Sequence, residues 1–65
     1  MVKTIKYHPI DPDYSPMVQS FIGVDAESID NQIYEFEQWH GRDHPCGIKL
    51  IYRAETIWDD TVNLH

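Results

Sequence analysis

Cys46 is the single cysteine of this chain, so no disulfide can form within it and an oxidising compartment is not implied. Cations are scarce and unevenly placed. The five basic residues, Lys3, Lys6, Arg42, Lys49 and Arg53, all lie outside the span from Tyr7 to Gly41, which holds Asp11, Asp13, Asp25, Glu27, Asp30, Glu35 and Glu37. No apolar run approaches the roughly 18 residues that cross a bilayer, and no apolar leader segment opens the sequence. A soluble, cytoplasmic protein is expected. There is no glycine-rich phosphate loop and no CxxC pair, and with four basic residues on the strands an acidic chain meets phosphates at a cost, so direct nucleic-acid binding is not expected.

With 65 residues and a formal charge of −6, the chain makes one domain with a small core. Such a core must draw on dense packing of its aromatics, for which Tyr7, Phe21, Phe36, Trp39, Tyr52 and Trp58 are the candidates, on an oligomer interface, or on a metal.

Residues 24–41 carry the organising pattern, that of one amphipathic helix. Ala26, Ile29, Ile33, Phe36 and His40 fall within about a hundred degrees on a helical wheel, as a core-facing stripe requires. Glu27, Asp30, Asn31, Tyr34, Glu37 and Gln38 take the opposite side. Two residues qualify as the cap. Asp25 can accept from the first-turn amides, with Val24 and Ile29 as a hydrophobic staple, and Ser28 can do the same if a strand continues through Ile22, Val24 and Ala26. Ser28 is the preferred start. Gly41 suits the left-handed closing position and Pro45 blocks resumption.

Around the helix the sequence reads as strands and loops. Residues 2–8 alternate, with Lys3, Ile5 and Tyr7 on one side and Val2, Thr4 and Lys6 on the other. Pro9, Pro12 and Pro16 then impose a loop. Residues 17–24 form a second strand candidate with apolar residues of both parities and Gly23 as a possible bulge. Residues 47–54 alternate most clearly, Ile48, Leu50 and Tyr52 against Lys49, Ile51 and Arg53, and are expected to be the third strand. The tail has no strong period; Trp58 is expected to pack back on the domain and the chain to loosen from about residue 59. The order strand, strand, helix, strand predicts an α+β two-layer domain, one helix covering one face of a three-stranded sheet. The third strand runs either parallel to the second, through a right-handed crossover, or antiparallel to the first. The other face, with Lys49 and Arg53, is expected to stay open.

His40, His44 and Cys46 are zinc-competent ligand types, with His8 or His65 as a conceivable fourth, but Gly41 and Pro45 break any helix that would hold them together. A metal site is not expected, nor is a cofactor. Cys46 and His44 flank Pro45, a poor arrangement for deprotonating a thiol, and so short a chain has little with which to wall off a pocket, so no catalytic residue is assigned. The acidic helix face remains. Glu27, Asp30, Glu37 and Gln38 around Tyr34 combine steering charge with an amphipathic anchor, which predicts a surface for a partner protein with a basic groove.

The run AESIDNQIYEFE at residues 26–37, followed by the Gly-led strand GIKLIYR at residues 47–53, resembles the strand-to-helix stretch and following basic strand of the small RNA polymerase inhibitors of T7-like phages. The likeness covers about half the chain, and Gln32 and Phe36 stand where that family prefers small residues. It implies a phage-type inhibitor that binds a host enzyme through charged surfaces. Together with the acidic helix face, which can occupy a basic groove as a mimic of DNA, the expectation is a phage or mobile-element inhibitor that blocks a host polymerase, nuclease or defence effector. The alternative expectation is a structural or regulatory domain that homodimerises through its open sheet face or is clipped by zinc at the His/Cys loop.

Overall fold

The computed structural model of the chain describes residues 1–40, 48 and 51–61, with the backbone alone at His40. Strand β1 (Val2–Pro9), strand β2 (Met17–Ile22), helix α1 (Ala26–His40) and strand β3 (Tyr52–Asp59) follow in that order. This is the expected α+β domain. The sheet has the order β2-β1-β3, with β1 central and antiparallel to both neighbours, which settles the placement of the third strand.

The alternation of β1 does what its pattern requires, since Ile5 and Tyr7 are buried against the helix while Val2, Thr4, Lys6 and His8 face the other way. The proline loop is fastened at several points. Asp11 Oδ1 accepts from the Asp13 amide at 2.9 Å, the Ile10 amide donates to the Ile51 carbonyl at 2.9 Å, and the Tyr52 hydroxyl donates to the Ser15 carbonyl at 3.0 Å. The N-terminal ammonium and the Gly23 carbonyl meet at 3.0 Å and so close the β1–β2 pair.

Asp25, not Ser28, caps α1. Its Oδ1 accepts from the Ser28 amide at 2.8 Å, and its carbonyl takes the Ile29 amide at 3.3 Å. The strand ends at Ile22 because Gly23 and Val24 turn the chain toward the helix, and Val24, 89% exposed, forms no staple. Ser28 is thereby left inside the first turn, where its Oγ receives a 3.5 Å contact from Gln32 Nε2, which also donates to the Ile22 carbonyl at 2.7 Å. Asp25→Ala is expected to lower unfolding free energy by about 1 kcal/mol while Ser28→Ala costs less, as read by urea denaturation. The reverse ranking would restore Ser28 as the cap.

The third strand is displaced from its expected place. Ile48 lies in a tight helical turn whose carbonyl accepts from the Ile51 amide at 3.1 Å, so the strand starts at Tyr52 and runs through the segment that had no evident period. The reason is a bulge. Thr56 pairs with Ile5 but Trp58 pairs with Thr4, and skipping Ile57 flips the parity of the strand end. Trp58 therefore points to the open face and is 59% exposed, instead of packing back on the domain. Strand pairing likewise persists to Asp59, and Asp60 extends it by accepting from the Val2 amide and donating to the Val2 carbonyl.

The buried core consists of Ile5, Tyr7, Phe21, Ile29 and Ile48, with Met17, Ile33, Phe36, Ile51 and Tyr52 packed around it. Phe36 lies between Tyr7, at 5.6 Å, and Phe21, at 5.5 Å and nearly edge-on. Of the aromatics expected inside, Trp39 and Trp58 are mostly exposed. Ala26, at the start of the expected stripe, is exposed as well. The expected helix stop at Gly41 and Pro45 lies outside the described residues.

Candidate protein-binding surface

Helix α1 turns Glu27, Asp30, Asn31, Tyr34, Glu35 and Gln38 to the outside, all exposed. Tyr34 is 65% exposed, one turn from Asp30 and one from Gln38. Grooves flank this face. One of about 400 Å³ runs along Val24, Asp25, Glu27, Asn31 and Glu35, and another of about 390 Å³ lies between the helix and β2, walled by Gln19, Phe21, Gln32 and Trp39. Among the described residues the ion pairs are Lys3 with Asp59 at 3.9 Å and His8 with Glu55 at 2.7 Å, neither of them on the helix.

Glu37 is not on this surface. Its side chain is 9% exposed, and its Oε2 accepts a 3.0 Å hydrogen bond from the Tyr7 hydroxyl, thirty residues away in sequence. On a helical wheel Glu37 lies about 80° from Ile29, only about 20° past Ala26, whereas Tyr34 and Gln38 lie at about 140° and 180°. The signal was available in that angle. A carboxylate at the margin of the stripe goes inward when a strand supplies it with a donor.

The open sheet face also differs from expectation. Its rows are Val2 with Ile22, Thr4 with Ser20 and Trp58, Lys6 with Val18 and Glu55, and His8 with Arg53. Thr4 and Ser20 hydroxyls meet at 3.0 Å. Arg53 is thus on the open face, but Ile51 lies in the preceding turn, and Lys49 is outside the described residues. So are His44, Cys46 and His65, with the side chain of His40, so the zinc-competent cluster lies outside the described residues. The apolar end of the face (Val2, Ile22) is separated from a charged end (Lys6, His8, Arg53, Glu55) by the row of Ser20, Thr4 and Trp58.

Two carboxylates on β3 have depressed pKa values. For Glu55 the first cause is the hydrogen bond to His8, followed by the charge of His8; for Asp59 it is the Thr61 hydroxyl, then the Thr61 amide, then Lys3. Both groups favour the folded state above the ordinary carboxylate range and lose that contribution as pH falls through their folded values. Both hold the end strand to its surroundings.

No family model, curated protein or solved structure matches this chain. The functional reading rests on its own surface.

Proposed function

We propose that the chain is a non-catalytic protein-binding module whose acidic helix face enters a basic groove on a nucleic-acid-handling protein, as a phage or mobile-element inhibitor would in blocking a host polymerase, nuclease or defence effector. The observation that carries this reading is Tyr34, 65% exposed amid Glu27, Asp30, Glu35 and Gln38, on a helix without a single lysine or arginine. A row of carboxylates with no compensating cations forgoes helix-stabilising ion pairs, each worth a few tenths of a kcal/mol. What it gains is a negative field around an aromatic anchor, which speeds encounter with a basic surface and suppresses acidic partners. Grooves that hold nucleic acid are basic, so a carboxylate array can occupy them in place of phosphates.

The test is capture from a bacterial lysate at low and raised salt by wild type and by Glu27→Lys/Asp30→Lys. The expected outcome is one basic nucleic-acid-binding protein retained at low salt, released by salt, and bound about tenfold or more weakly by the double variant. These positions are exposed, so the variant's unfolding free energy should stay within about 0.5 kcal/mol of wild type. Equal capture by the two proteins, or capture of nothing, rejects the reading. A second reading, homodimerisation through the open sheet, is favoured by the exposure of Val18, Ile22 and Trp58, and dissociation on dilution would support it.

A further inference from the structure

Among the described residues, helix α1 packs on β2 and leaves β3 largely uncovered on the side that faces the helix layer. Ala54, paired with buried Tyr7, is exposed for this reason. Between the helix and β3 lies a gap of about 300 Å³, lined by Tyr7, Glu37, Ile48, Tyr52 and Ala54. Among the described residues the lining has one charged group, the nearly buried carboxylate of Glu37. We propose that this gap is a binding site for an alkylammonium cation, with Glu37 as the counter-charge.

The argument begins with what Glu37 lacks. A carboxylate offers about four acceptor positions, and the Tyr7 hydroxyl at 3.0 Å fills one of them with a neutral donor. Among the described residues the ion pairs lie elsewhere, at Lys3–Asp59 and His8–Glu55. A buried carboxylate is costly unless a cation and further hydrogen bonds compensate it. The walls supply the rest. Tyr7 and Tyr52 both line the gap, their rings 6.3 Å apart between centroids, and an aromatic wall favours a cation over an anion. The Tyr52 hydroxyl is held by the Ser15 carbonyl, which fixes that wall. Ile48 and Ala54 provide apolar surface for an alkyl stem.

The geometry also selects among cations. A metal ion requires several oxygen or nitrogen ligands, and one carboxylate does not provide them. A guanidinium is best served by both carboxylate oxygens at once, but Oε2 is already engaged by Tyr7. An ammonium, a compact charge with rotatable donors, needs only the remaining oxygen. Tyr7 remains a donor throughout the neutral range, because its burial, and then the charge of Glu37, push its pKa well above the ordinary phenol value. The ligand class is therefore a primary alkylamine in its protonated form, free or at the end of a lysine side chain. This site is separate from the outward face of the helix, so either can fail without the other.

The experiment is an amide chemical-shift titration of the full chain with n-butylammonium chloride, with n-butanol and sodium chloride as controls and the peptide Gly-Lys-Gly as a second arm. Saturable shifts at Tyr7, Tyr52 and Ala54 are expected with butylammonium and absent with butanol. Glu37→Gln, which keeps an acceptor for Tyr7, should weaken binding about tenfold or more. Ala54→Leu, which fills the gap and leaves the carboxylate in place, should do the same. Saturation by the peptide as well assigns the site to a lysine side chain of a partner; saturation by butylammonium alone assigns it to a free amine. The proposal is overturned if butanol shifts the same amides equally, if wild type shows no saturable binding, or if binding appears only in Arg42→Ala/Lys49→Ala, which would mean that the chain's own cations hold the site.

Discussion

Ile29→Ala is expected to remove about 2–5 kcal/mol of unfolding free energy, the largest loss of any single truncation in the helix. Ile29 is fully buried, at 0% exposure, at the centre of the cluster formed with Ile5, Tyr7, Phe21 and Ile48. The cost has two parts. The deleted methyl and methylene groups lose their transfer free energy, and the hole remains because a rigid sheet and a one-helix layer cannot collapse into it. At 0.05–0.15 kcal/mol per residue a chain of 65 residues has only about 3–10 kcal/mol to lose, so this single truncation takes a large fraction of the total. Urea denaturation at constant m reads the difference, and Val24→Ala, at a position 89% exposed, is the control expected within about 0.5 kcal/mol of wild type. A loss below about 1 kcal/mol at Ile29 would show that the helix is not what the core is built on.

The second large effect is at the Tyr7–Glu37 pair. Tyr7→Phe removes the 3.0 Å donor from a nearly buried carboxylate and is expected to cost about 1.5–3 kcal/mol at neutral pH, more than the removal of a surface hydrogen bond. Glu37→Lys should cost about 3–5 kcal/mol, because it places an ammonium where a carboxylate was matched to its donor. Charge reversal at Glu37 is therefore a probe of folding and not of the outer helix surface. The pair also shapes the alkaline limb of stability. Burial and the charge of Glu37 raise the Tyr7 pKa in the folded state, whereas an unfolded phenol titrates near 10. The contribution is complete below that unfolded value and is lost as pH rises toward the folded one, so wild type should lose stability above about pH 10 with a slope that Tyr7→Phe flattens. Parallel curves for the two proteins would show that the phenol does not carry the alkaline transition.

The elements that were legible in advance are those whose signal is local. The strand at residues 2–9 alternates in its own sequence, the three prolines after it break regular structure wherever they occur, and Ile29, Ile33 and Phe36 recur at the helical period. Tyr34, Glu27, Asp30 and Gln38 could be placed outward for the same reason. The third strand misled because Ile48, Leu50 and Tyr52 alternate well, yet Ile48 enters the core from a turn, and the true strand has a bulge at its end that cancels the period. Glu37 misled because charge argued for the surface, and nothing near it in sequence announced a phenol waiting thirty residues away.

The sequence by itself determined that the segment after Asp25 is a helix, that its exposed face is acidic without cations, that no internal disulfide exists, and that a first strand and a proline loop precede a second strand. These depend on the rotation per residue of each segment and on side-chain chemistry, both carried by the segment alone. Only the tertiary structure decided that β3 adds to the free edge of β1, that Trp58 points away from the core, that Asp25 rather than Ser28 caps the helix, and that Glu37 turns inward to Tyr7. Each of those is a choice among partners brought together through space, and hydrogen-bond satisfaction between distant segments makes the choice.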